Sequence, residues 1–176
     1  MIGYLDVLLV QPLGYVGGIL VADEYGLPVE FRHTLPVQPT KLQRALYGNA
    51  LDRYLRTAVI AQRLLAGLEH APTLVLVGDP LLVAEATLPL AHCADAGVDP
   101  IGARGAVEAF DGASRGFLLQ VRSDEAPLRV VTEAPAHLYA EMGEEIARSA
   151  ETMDVQEPMA RVRAGLALIA AGDVAA

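Results

Sequence analysis

Residues 73–78, Thr-Leu-Val-Leu-Val-Gly, form a short apolar run rich in β-branched side chains that ends at Asp79-Pro80. A run of this kind suits a central strand covered on both faces, because a half-exposed strand alternates apolar with polar side chains. The segment therefore requires layers of structure on both sides of a sheet.

The rest of the chain supplies them. Residues 4–10 read as a strand, almost continuously apolar and bounded by Gln11-Pro12. Residues 17–22 read as a second strand and Tyr25-Gly26 as a turn. Residues 27–34 read as a third, with Val29, Phe31 and His33 alternating against Glu30 and Arg32. Together they predict an antiparallel meander. Pro36 and Pro39 punctuate the chain, and Thr40 suits the N-cap of a helix beginning at Lys41 that breaks or kinks at Gly48-Asn49. Leu51, Tyr54, Leu55, Ala58, Val59, Gln62 and Leu65 then recur at helical spacing as a core-facing stripe, with Asp52, Arg56 and Arg63 on the other side.

Residues 81–90 fit a helix or a strand equally well. Residues 91–105, rich in Gly, Pro and Asp, read as a loop-rich insertion. Short strands follow at 106–110, 116–122 and 128–133, separated by turns at Asp111-Gly112 and Ser123-Asp124-Glu125. Two helices close the chain. Leu138, Met142 and Ile146 mark the first; Pro158, Met159, Val162, Leu166 and Ile169 mark the second, which stops at Gly172. The expected fold is a single α/β domain of α+β character over residues 1–176.

Composition narrows the setting. With 53% apolar residues, the chain has ample core material without staples. A single cysteine, Cys93, excludes an internal disulfide and points to the cytoplasm. No signal segment or bilayer-length apolar run is evident, so no membrane partner is expected.

The net charge of −9 is unevenly spread. Residues 31–63 carry six basic side chains (Arg32, Lys41, Arg44, Arg53, Arg56, Arg63) against Asp52 alone, a net of +5; the other 143 residues carry −14. Strong phosphate-backbone binding through this stretch would have to overcome the acidic remainder. A protein-facing patch, docking an acidic protein surface or a second copy of the chain, is the favoured expectation, with nucleic acid ranked below it.

Motifs with a fixed chemistry are scarce. The glycines of Gly14-Tyr15-Val16-Gly17-Gly18 follow a strand, but a strand rather than a helix N-terminus comes next, so a hairpin turn is expected rather than a phosphate cradle. His92, Cys93 and Asp95 fall short of a zinc set, and the remaining histidines, His33, His70 and His137, are scattered.

Asp6 within the first strand and Asp79 at the end of the strand after the long helix form the main constellation. The order strand, strand, strand, helix, strand with these carboxylates is similar to the ribonuclease H-like fold. The resemblance covers roughly the first 80 residues and implies a nuclease in which Asp6 and Asp79 hold Mg²⁺ or Mn²⁺ for phosphodiester cleavage. A further acid would come from Asp52, Glu85 or Asp95. The hairpin over residues 18–30, followed by a helix, short strands and a closing helix, also resembles the roadblock and longin-type modules. These are non-catalytic and imply dimerisation and binding to small GTPases, although here a strand precedes the hairpin where that family has a helix.

From these features the leading expectation is a cytoplasmic, non-catalytic protein-interaction or assembly module, homo-oligomeric or part of a larger assembly. It would act through Arg32, Lys41, Arg44, Arg53, Arg56 and Arg63 and need no cofactor. The alternative is the metal-dependent nuclease using Asp6 and Asp79.

Overall fold

The computed structural model describes residues 1–84, 86–110 and 115–173. Eight strands form one mixed sheet in the order β3-β2-β1-β4-β5-β8-β7-β6. The expected meander is β1 (Ile2–Val10), β2 (Gly14–Ala22) and β3 (Pro28–His33), antiparallel throughout. The apolar run at residues 73–78 contains β4 (Leu74–Val77), fully buried and parallel to β1, with Leu5 opposite Val77.

Between β3 and β4 lies a helical stretch. Thr40 caps α1 (Lys41–Tyr47) through a reciprocal box with Gln43. A 3₁₀ turn at Gly48–Ala50 leads into α2 (Leu51–Tyr54), a π-helical turn (Leu55–Ala61) and α3 (Gln62–Ala66). The wider π turn shifts the phase of the helix. Leu51 and Leu55 are buried as expected; the fully buried stripe then continues through Ile60, Ala61 and Leu64, while the expected Tyr54, Val59 and Leu65 pack partly buried at its edge and Gln62 is exposed.

The described residues among 81–90 are mostly neither helix nor strand, with a 3₁₀ turn at Pro80–Leu82. The expected loop at 91–105 is corrected at its start, where β5 (Leu90–Asp95) pairs parallel with β4 and antiparallel with β8. Its Ala91-His92-Cys93-Ala94 segment lacks β-branched side chains and draws its strand form from these two neighbours. Then come β6 (Val107–Ala109), β7 (Gly116–Leu119) and β8 (Leu128–Thr132). The expected Asp111-Gly112 turn lies outside the described residues.

The closing helices are α4 (Tyr139–Ser149) and α5 (Glu157–Ala171), the latter ending at Gly172 with φ 79°. They cover one face of the sheet over a core that includes Tyr4, Leu20, Leu76, Phe117, Ile146, Val162 and Leu166. The α2–α3 stretch covers the other face over Leu5, Ile19, Val75 and Val77. Gly17 and Gly18 sit inside β2, where a Cβ would meet Ile60 at 2.2 Å on one face and Leu166 at 2.9 Å on the other. They let helices approach both faces closely. Among the described residues no helix is long and apolar enough to cross a membrane.

Candidate functional site

The three parallel strands β1, β4 and β5 end on the same side of the sheet, a common place for ligand sites in α/β folds. Asp6 of β1 is 2% exposed, and it lies opposite Gly18 of β2. Its Oδ1 accepts from the Val7 backbone N–H at 2.8 Å, and its Oδ2 accepts from Arg163 Nε of α5 at 2.6 Å. Arg163 also donates through Nη2 to the Gly78 carbonyl at 2.9 Å.

Asp79 follows directly. Its Oδ1 accepts from Leu81 N–H at 2.9 Å, capping the 3₁₀ turn, and its Oδ2 lies 3.8 Å from Arg56 Nη1. Arg56 donates through Nε to both oxygens of Asp52 at 3.0 and 3.1 Å and through Nη1 to the Val7 carbonyl. Its guanidinium also lies 5.6 Å from the centre of the Tyr15 ring. Tyr15 donates its hydroxyl to Asp52 Oδ1 at 2.9 Å, and burial followed by that carboxylate raises its pKa.

A cavity of about 340 Å³ opens beside Asp6, lined by Tyr4, Gly78, His92, Cys93, Gln156 and Arg163 among others. Burial lowers the His92 pKa, opposed in part by the charge of Asp79, so the ring is neutral near pH 7. Burial pushes the Cys93 thiol up to about 12, which removes it as a nucleophile.

The two aspartates of the nuclease alternative therefore come to one end of the sheet, each bound to a different arginine. Asp6 is engaged from the α5 side and Asp79 from the α2 side. Of the further acids, Asp52 joins them through Arg56, Asp95 is exposed at the C-terminal end of β5, and Glu85 lies outside the described residues. Among the described residues, no three or more His, Cys, Asp or Glu side chains are grouped to hold a metal ion. The Mg²⁺ or Mn²⁺ implied by the resemblance does not fit this arrangement, because both carboxylates already face guanidinium groups.

The basic stretch is not one surface. Arg32 pairs with Glu30 and with Glu69, and Arg56 turns inward with 14% of its side chain exposed. Only Lys41, Arg44, Arg53 and Arg63 remain exposed. Sequence reasoning placed Arg56 on the solvent side and passed over Arg163 altogether. Arg163 reaches a partner 157 positions away, and no local pattern marks such a contact.

The fold is similar to that of two solved structures. The chain is similar over 99% of its length to the crystal structure of the endonuclease V from Streptomyces avermitilis, with a TM-score of 0.61 and 16% identity over 82% of that chain. It is similar over 99% of its length to the crystal structure of human ENDOV, with a TM-score of 0.50 and 13% identity over 85% of that chain. At these identities the likeness is one of fold. No family model matches the sequence, and no curated protein matches it.

This likeness overturns the expectation of a non-catalytic protein-interaction module, and the nuclease alternative accords with it better. The charge asymmetry behind that expectation has a structural explanation, since two of the six basic groups serve internal ion pairs.

Proposed function

We propose that the chain is a nuclease-type protein that acts on the phosphodiester backbone of a nucleic acid, in the region of the sheet where neighbouring parallel strands carry Asp6, Asp79 and His92. The observation that carries this reading is the placement of Asp6 within β1, Asp79 just after β4 and His92 within β5, on three neighbouring parallel strands in a fold like that of two endonuclease V structures. Fold alone does not assign a function, so the reading rests on the site as well.

The chemistry available there suits a phosphodiester. Arg163 is half-exposed at the cavity and has N–H donors beyond the two used on Asp6 and Gly78, and guanidinium groups match phosphate oxygens. A neutral His92 in the same cavity can accept a proton. Asp6 and Asp79 hold the two arginines in place.

The test is incubation of the full chain with labelled single- and double-stranded DNA and RNA, scored for retention and for cleavage. Binding or cutting that falls at least about tenfold in His92→Ala and Arg163→Ala supports the reading, that loss being about 1.4 kcal/mol. Neither binding nor cutting of any of the four substrates overturns it.

A further inference from the structure

We infer that the Arg163 guanidinium is the built-in counter-ion of Asp6, holding the place that a divalent cation would need, and that this end of the sheet works without a bound metal. This goes beyond the nucleic-acid reading, since it concerns what balances the carboxylates whatever the substrate.

Asp6 is too deeply buried for water to offset its charge, so it needs a cation or hydrogen-bond donors. Both are present. Val7 N–H satisfies one oxygen and Arg163 Nε the other, while Arg163 Nη2 is anchored on the Gly78 carbonyl. The space is built around this contact: at Gly78 a Cβ would stand 2.2 Å from Asp6 Oδ2 and 2.9 Å from Arg163 Nη2.

The same substitution recurs alongside. Arg56 lies between Asp52 and Asp79, at 3.0 and 3.8 Å from their oxygens. Three carboxylates thus surround two guanidinium groups, and both cations belong to the chain. A hard divalent ion needs oxygen ligands free of other cations, with waters or substrate oxygens completing its shell. Here such an ion would have to displace Arg163 from Asp6 and leave the guanidinium beside it.

The experiment is thermal unfolding and calorimetric titration of the full chain with MnCl₂ and MgCl₂, without nucleic acid. Wild type is expected to show no saturable binding and no shift in melting temperature. Arg163→Gln is expected to gain a saturable Mn²⁺ response, about 5 °C at a hundredfold excess over Kd, and Asp6→Asn in that background is expected to remove it.

Saturable Mn²⁺ or Mg²⁺ binding by wild type that is lost in Asp6→Asn would overturn the inference, as would an Arg163→Gln variant that folds and stays silent to both ions. Should Arg163→Gln fail to fold, the wild-type titration decides the matter, and Arg163→Lys, which keeps a cation beside Asp6, is expected to stay as silent to both ions as wild type, saturable binding by it counting against the inference. None of these outcomes depends on whether the chain binds nucleic acid.

Discussion

Asp6 and Gly78 fit together so closely that position 78 has no room for a side chain: a Cβ there would stand 2.2 Å from the Asp6 Oδ2. The register sets this up, because Leu5 pairs with Val77 and the next residues of β1 and β4 are Asp6 and Gly78. Gly78→Ala is expected to cost about 2 kcal/mol, in the range of overpacked interiors. Urea unfolding measures it, and an unchanged midpoint would contradict the tight fit.

The Asp6–Arg163 pair is asymmetric, and the asymmetry makes a ranking. Arg163 has 51% of its side chain exposed, whereas Asp6 has 3%. Arg163→Ala strands a buried carboxylate and is expected to cost about 2–3 kcal/mol. Asp6→Asn leaves an arginine that can turn to water, so its cost is expected near 1 kcal/mol or below. Denaturant curves of the two variants would show two small and similar costs if the pair were a surface contact.

His92 gives stability a pH dependence of known sign. Burial lowers its pKa from 6.5, so below that value the unfolded chain binds the proton more readily than the native one. Its contribution is fully present above pH 6.5 and is lost as the pH falls through the lower native pKa. On the other groups around it, Asp79 and Asp6 oppose the shift and Arg163 reinforces it. His92→Gln is expected to flatten the loss of melting temperature as the pH falls below 6.5; a variant as pH-sensitive as wild type there would rule His92 out as the cause.

Cys93 lines the same cavity, but burial holds its thiol at about 12. Native protein at pH 8 is expected to react with iodoacetamide at least about tenfold more slowly than urea-unfolded protein, since the thiolate is the reacting form. Mass spectrometry of the alkylated chain reads this directly, and equal rates would mean that the thiol is not shielded.

The core strands and closing helices are legible in the sequence for a physical reason: β1, β2 and β4 are apolar on both faces, and Val162 and Leu166 carry the buried stripe of α5. β5 escaped notice because its strand form comes from pairing with β4 and β8. Asp6 and Asp79 were identifiable from topology, one within β1 and the other directly after the adjacent parallel β4. Their partners were not. Arg56 was misplaced because its long side chain turns inward to the Val7 carbonyl and Asp79, and Arg163 because its contact is purely tertiary. The sequence thus pointed to the carboxylates and hid the arginines that determine what those carboxylates can bind.

The most direct test of the central claim is an NMR titration of isotope-labelled protein with short DNA and RNA oligonucleotides in chelating buffer. Nucleic acid acting at this end of the sheet, without a metal ion, predicts shifts concentrated on the Gly78 amide, the His92 ring and the Arg163 side chain. Shifts confined to the exposed basic residues of α1, Lys41 and Arg44, or shifts at the site only after Mg²⁺ is added, would contradict it.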